Sequence, residues 1–169
     1  MKKGGGRNKG NAFERHVASL ILKAAVKTDK TLRKRHCYRT PGSGGHRYDK
    51  NKYPGDLVIR ARLLKIFPFV VECKNYRKIE HQNFHSPQSE KWKEIQWLKQ
   101  VLRESKHHKR RIPLLVFKAN NRPIWCAFPT NKLGGEHNGV ATYFIFKEKE
   151  WQMMPFEDFL NSYIPVRQK

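Results

Sequence analysis

The chain has few acidic residues, few cysteines and no long apolar run, and each shortage excludes a class of protein. Its 169 residues include 36 Lys and Arg but only 14 Asp and Glu, a net charge of +22 that points to a polyanionic partner such as nucleic acid. No apolar run approaches the roughly 20 residues that span a bilayer, which excludes a membrane-spanning protein. The cysteines, Cys37, Cys73 and Cys126, are too widely spaced for a CxxC zinc clip, so we expect reduced, mostly buried thiols.

The sequence nevertheless contains enough apolar residues for a folded domain. With 38% hydrophobic and 12% aromatic residues it is too apolar for a disordered basic tail, and its length fits one domain. No apolar segment follows the basic N-terminus, so we expect no secretory signal. We therefore expect a cytoplasmic protein without membrane contact or a small-molecule cofactor.

The spacing of apolar residues predicts an α/β fold with a mixed sheet between helices. We expect a flexible basic arm over residues 1–10 and a single domain over 11–169, in which 120–169 form an extension of open role. Helices are predicted over 11–27, from Ser86 to about 105, and over 155–163. Strands are predicted over 36–40, 57–59, 67–73, 114–118, 124–128 and 143–146, with the second and third in a hairpin-like arrangement. A Gly- and Pro-rich loop of the kind that is often functional follows the first strand.

Three residues have the chemistry for metal-assisted phosphodiester cleavage. Such cleavage needs carboxylates that hold Mg²⁺ beside the phosphate and a cation that orients or activates the attacking water. Because strand positions two apart share a face, Glu72 and Lys74 should point the same way while Cys73 turns to the opposite, buried side. Asp56 begins the neighbouring strand and is expected to reach the same point.

The Glu-x-Lys pattern alone is weak, because about two acidic-x-Lys triplets are expected by chance from this composition. The other triplet begins at Glu104, which we place at the polar end of a helix. Glu72 instead interrupts an apolar strand, where a charge costs several kcal/mol unless it is paired or bound to metal. The alternative is a simple Glu72–Lys74 ion pair at a strand end.

Four motifs in this order resemble the PD-(D/E)XK nuclease superfamily, and within it the archaeal Hjc-type Holliday junction resolvases and similar phage proteins. The motifs are Phe13-Glu14-Arg15 on the first helix, Ser43 in PGSGG, Asp56 in PGDLVI, and Glu72-Cys73-Lys74. The chain departs from the family pattern in having Gly55 between Pro54 and Asp56 and a longer gap from Asp56 to Glu72.

The resemblance implies a restriction-endonuclease-like fold and a homodimer that makes paired nicks in branched double-stranded DNA, the four-way junction. It implies that Glu14, Asp56, Glu72 and the Cys73 backbone carbonyl hold one or two Mg²⁺ ions, for which Mn²⁺ would substitute. Lys74 would position or activate water, and Ser43 would help position DNA. If a phage encodes the protein, as the resemblance allows, it would act in the host cytoplasm. Further contacts to the DNA backbone are expected from basic residues of the arm, the first helix and the long loop: Lys9, Arg15, Arg39, Arg47, Lys50 and Lys52.

Other interpretations remain open at this point. The protein could be a Mg²⁺-dependent endonuclease of the superfamily without junction preference, or a basic nucleic-acid-binding protein without catalysis. Glu14 could be the capping-box partner of Asn11, and Ser43 could serve only loop solubility. Trp92 and Trp97 are expected to pack rather than to stack on bases.

Overall fold

The computed structural model describes residues 5–42, 53–85, 91–108, 110–130 and 141–164. In chain order the elements are α1 (Gly5–Val26), a 3-10 turn (Lys34–His36), β1 (Cys37–Arg39), β2 (Leu57–Ile59), α2 (Ala61–Leu64), β3 (Phe69–Tyr76), α3 (Gln82–His85), α4 (Lys93–Ser105), β4 (Ile112–Ala119), β5 (Trp125–Pro129), β6 (Thr142–Phe146), β7 (Lys149–Pro155) and α5 (Phe156–Tyr163).

The described strands form a five-stranded mixed sheet and a two-stranded ladder. The order in the large sheet is β3-β4-β5-β7-β6, in which β3 and β4 are parallel and the other pairs are antiparallel. β1 and β2 pair antiparallel with each other. The ladder approaches the large sheet at β3, where Asp56 N donates to Val71 O over 2.8 Å. This mixed sheet flanked by helices confirms the expected restriction-endonuclease-like α/β fold.

Apolar side chains cover both faces of the large sheet, as expected for a sheet between helices. Leu114 and Val116 of β4 belong to the core shared with α1 and α5. Leu115 and Phe117, one position on, belong to the core shared with α4. Each face of β4 therefore packs against a different helical layer. Successive side chains of β3 likewise point to opposite faces of the sheet.

The first helix begins at Gly5, six residues earlier than predicted, so Asn11 lies inside the helix and is not its N-cap. Residues 5–10, which we assigned to the basic arm, are its first turns, and residues 1–4 lie outside the described residues. A tertiary contact favours this early start, because the Lys9 ammonium donates to the side-chain oxygen of Asn120. Local composition alone gives no sign of that contact.

The predicted hairpin of residues 57–59 and 67–73 is wrong. β2 pairs with β1 instead of β3, and the short helix α2 occupies the connection. This inserted helix accounts for the long gap between Asp56 and Glu72. The predicted start of the second long helix, at Ser86, lies outside the described residues; α4 as described begins at Lys93.

Residues 120–164 add β5, β6, β7 and α5 to the core, and β7 was not predicted. The turn before β7 contains Lys147 and Glu148, with φ of 51° and 61°. Hairpin turns of this conformation usually contain Asn or Gly, so the sequence carries none of the usual turn signal. The other strands and α5 match their predicted positions to within a few residues.

Candidate active site

β3 places Glu72 and Lys74 side by side on the face toward α4. Lys74 Nζ lies 2.6 Å from Glu72 Oε1, and the Glu72 side chain is 2% exposed. Cys73 points to the other face and lies in the core shared with α1. The period of two in a strand therefore gave the correct geometry. The ion pair that the sequence left open as the alternative is present, and it is one part of a larger group of charges.

Asp56 reaches this group from the start of β2. Its Oδ2 accepts the backbone N–H of Cys73 over 2.8 Å, next to Glu72 in the chain. Gly55 makes this approach possible, because its φ is +76° and a Cβ at this position would lie 2.4 Å from Val71 O. Only glycine combines that conformation with such a close backbone contact. The residue that separates Pro54 from Asp56 thus fixes the position of the carboxylate.

Helix α4 contributes two further residues to the site, Gln100 and Glu104. Gln100 donates to Glu72 Oε1 over 2.6 Å and accepts from Lys74 Nζ over 3.0 Å. Glu104 accepts the N–H of Gly55 over 3.0 Å, and Gln100 Nε2 lies 3.3 Å from its other oxygen. Through these bonds Glu72 is linked to the backbone of Gly55, the residue before Asp56. Our placement of Glu104 at a polar helix end was wrong, because the residue is 8% exposed.

A signal for Glu104 was present in the sequence. It lies three residues after Val101 and seven after Trp97, spacings that place it on the buried face of α4, and Glu94 falls on the same face. An acid on an apolar stripe is buried and needs a partner. Glu94 has such partners away from the site, the Glu80 N–H at 3.3 Å and Asn83 Nδ2 at 3.1 Å.

α1 brings Glu14 toward the same group. Glu14 is 9% exposed and its Oε2 lies 2.6 Å from Arg39 Nε. Arg39, which we expected to contact DNA, is therefore the ion-pair partner of the predicted site residue Glu14. This pair gives the Arg39 side chain a structural role as well. Lys9 contacts Asn120, and Arg15 is exposed on α1.

Crowding of carboxylates shifts the pKa values at the site. Burial, with the charges of Glu14 and Glu104, raises the pKa of Asp56 to about 6, against the opposing effects of Cys73 N–H and Lys74. Burial and the charge of Asp56 raise the pKa of Glu72. Burial lowers the pKa of Lys74, but Glu72 outweighs this and the net shift is upward, so Lys74 is cationic. The site therefore holds more buried carboxyl groups than cations to pair with them.

The oxygen donors of Asp56 and Glu72 fit a hard divalent cation. In the described part of the chain, no three His, Cys, Asp or Glu side chains form a ready metal cluster. Mg²⁺ usually takes one or two protein carboxylates and completes its shell with water and substrate phosphate.

Of the remaining predicted residues, those of the long loop lie outside the described residues, and the cysteines and Trp97 lie within them. Ser43, Arg47, Lys50 and Lys52 lie outside the described residues. The three cysteines are free and buried, as expected, and burial raises the pKa of Cys37 to about 12, so its thiol is neutral. Trp97 is 4% exposed and packs in the core, as expected.

Basic residues that the sequence did not single out line a cleft at the carboxyl ends of β3 and β4, just beyond Lys74. The cleft has a volume of about 610 Å³. Its cations are Arg77, Lys78, Lys118 and Arg122. Lys78 is paired with Glu80 at 2.6 Å.

None of the helices in the described ranges has the length and apolar character needed to cross a membrane. A search of the curated proteins and a search of the solved structures each found no match. The family model described as "Phage putative PDDEXK endonuclease" matches residues 5–165. The match extends through β5, β6, β7 and α5, and so includes most of the C-terminal extension whose role the sequence left open. The chain therefore belongs to this phage PDDEXK endonuclease family.

Proposed function

We propose that the protein is a divalent-metal-dependent DNA endonuclease that resolves four-way junctions by paired nicks. The observation that carries the catalytic part is the hydrogen bond from Cys73 N to Asp56 Oδ2, at 2.8 Å. It places a second carboxylate beside the buried Glu72–Lys74 pair. A protein that only binds nucleic acid has no need for this costly arrangement of buried acids.

The metal would be held by Asp56, Glu72 and the Cys73 carbonyl, with Glu14 as a further carboxylate of the site. The N–H and C=O of one strand residue point to the same side, so the bond from Cys73 N to Asp56 supports a carbonyl on that side too. Mg²⁺, or Mn²⁺ in its place, supplies charge stabilisation at the phosphate and lowers the pKa of a bound water. The raised pKa values of the buried Asp56 and Glu72 carboxyls, caused first by burial and then by neighbouring acids, support such an occupant, because a bound cation would favour their charged forms.

Lys74 is the residue proposed to orient or activate the attacking water. Its ammonium is already fixed by Glu72 at 2.6 Å and Gln100 at 3.0 Å, so little conformational freedom is lost when substrate binds. The same positive charge would offset negative charge that grows on the phosphate during displacement. In-line attack would leave a 5′-phosphate and a 3′-hydroxyl.

Contacts to the DNA backbone are proposed for cations around the carboxyl ends of β3 and β4, principally Arg77, Lys118 and Arg122. Lys9, Arg15, Ser43, Arg47, Lys50 and Lys52 stay proposed contacts from the sequence, as does Arg39 in its pair with Glu14. Junction preference and a homodimer rest on the resemblance to resolvases, since a two-fold symmetric substrate calls for two sites.

The test is cleavage of a labelled four-way junction beside a linear duplex of the same sequence, with Mg²⁺ and with EDTA. We expect symmetric, metal-dependent nicks on the junction alone. Equal cutting of both substrates would show an endonuclease without junction preference. Tight binding with no cutting under Mg²⁺ or Mn²⁺ would leave only a nucleic-acid-binding protein.

A further inference from the structure

A second cationic cleft lies on the other side of the candidate site. It has a volume of about 430 Å³ and is formed by the C-terminal half of α4, the start of β4, the end of β5 and the β6–β7 turn. Six cations line it: Lys99, Arg103, Lys106, Arg111, Lys147 and Lys149. No Asp or Glu is among its lining residues in the ranges that the structure describes.

Arg111 is the most informative residue of this second cleft. Its side chain is half-buried, and burial lowers its pKa. Within the described ranges, no side-chain hydrogen bond or ion pair to its guanidinium is formed. A partly buried cation without an anionic partner is costly, and an anionic ligand would offset that cost.

The second cleft and the cleft beyond Lys74 lie at opposite ends of β4. Pro113 lines the former and Ala119 lines the latter. At about 3.3 Å per residue these two positions are roughly 20 Å apart along the strand. Glu72 pairs in register with Leu115, between them, so along the strand direction the candidate site lies between the two clefts.

We propose that the second cleft binds the phosphodiester backbone of a DNA segment outside the candidate site. This inference rests on the proposed function and adds a second contact surface to it. The Lys99, Arg103 and Lys106 side chains follow one stripe of α4, at spacings of four and three, which suits a run of phosphates. The fork-shaped Arg111 guanidinium suits bidentate contact with one phosphate. Contacts of this kind position DNA without reading its sequence.

The test measures junction binding in EDTA as a function of salt concentration. The cleft variant is Lys106→Gln/Arg111→Gln. The control is Lys23→Gln/Lys27→Gln, which removes the same charge from two exposed positions, one in the last turn of α1 and one just after it, on the opposite face of the sheet. Each lost phosphate contact should reduce the magnitude of the slope of log affinity against log salt by about 0.9. The slope should therefore become shallower by about 2 in the cleft variant and stay unchanged in the control.

A slope equal to that of the wild type, or an equal drop in the control, would overturn the proposal. Thermal unfolding verifies that the variant is folded. If Arg111→Gln unfolds the protein, Lys147→Gln/Lys149→Gln on the exposed turn gives the same test.

The failure of this inference and that of the proposed function are distinguishable. Binding in EDTA requires no cleavage, so a wild type that binds but never cuts would contradict only the nuclease proposal. A wild type that cuts while the cleft variants keep the full salt slope would contradict only the second cleft.

Discussion

Asp56 and Cys73 are joined by a 2.8 Å hydrogen bond from the Cys73 backbone N–H to Asp56 Oδ2. This bond fixes a carboxylate from the start of β2 against the middle of β3, beside Glu72. The two strands share no ladder, so the side-chain bond and the Asp56 N to Val71 O bond position the acid. The geometry of the candidate site therefore depends on a few identifiable contacts.

The raised pKa of Asp56 predicts that the metal-free protein becomes less stable as pH rises from about 4 to 6. In this window the folded protein retains a proton that the unfolded chain, with its ordinary pKa of 3.8, has released. The loss should approach about 3 kcal/mol and persist above pH 6. Urea unfolding in EDTA at pH 4.5 and pH 7.5 spans most of this window and should show a loss of about 2 kcal/mol in the free energy of unfolding.

Asp56→Asn is the matched variant for this effect, because the amide oxygen can still accept the Cys73 N–H. It should flatten the pH profile and be more stable than the wild type at pH 7.5, while cleavage is lost. A profile that coincides with that of the wild type would show that Asp56 is not the group responsible.

Mg²⁺ should stabilise the wild type in thermal unfolding, and more strongly at pH 7.5 than at pH 5. The ligands must be deprotonated to bind, and a ligand that binds only the folded state raises its stability. Asp56→Asn should abolish most of this shift. An equal shift in the variant would place the cation elsewhere on the protein.

Gly55→Ala should destabilise the protein more than Gly42→Ala does. Both glycines have similar φ, +76° and +75°, so the conformational cost for alanine, about 1–2 kcal/mol, is common to both. No atom of the described residues lies within 4 Å of a Cβ at Gly42, whereas a Cβ at Gly55 meets Val71 O at 2.4 Å. Denaturant unfolding of the two variants separates backbone strain from steric clash. Equal losses in the free energy of unfolding would contradict the close approach of Gly55 to Val71 O.

Glu104→Ala should reduce cleavage about 10- to 100-fold, as losses of residues that orient metal ligands commonly do. It should also cost about 1–3 kcal/mol of stability, because the buried Gly55 N–H loses its acceptor. Glu104→Gln keeps an acceptor at this position and should recover most of both losses. Single-turnover cleavage and urea unfolding measure the two effects. If Glu104→Gln behaves like Glu104→Ala, the charge of Glu104 matters rather than its hydrogen bond to Gly55.

The sequence predicted those parts of the site that depend on local geometry. The strand period placed Glu72 and Lys74 on one face and Cys73 on the other, and the costly position of Glu72 marked it as the informative acid. The contact between Asp56 and β3 was expected, but from a hairpin. It arises instead through Gly55, whose close approach to Val71 is a tertiary feature.

Residues brought in by packing were missed. Gln100 and Glu104 reach the site because of how α4 lies on the sheet, which helical periodicity does not determine. β7 was missed because its turn uses Lys147 and Glu148 in a conformation that Asn or Gly usually adopts. The early start of α1 depends on a contact between Lys9 and a residue 111 positions away.

The most direct measurement is single-turnover cleavage of a labelled four-way junction by the wild type and Glu72→Gln, with DNA binding measured in parallel. Glu94→Gln is the control, since Glu94 is also buried but bonds to Glu80 and Asn83 instead of the site. We predict that Glu72→Gln abolishes metal-dependent cleavage and binds DNA as tightly as the wild type or more tightly, while Glu94→Gln cuts normally. Full cleavage by Glu72→Gln, or loss of binding and cleavage together, would contradict a catalytic role for this carboxylate.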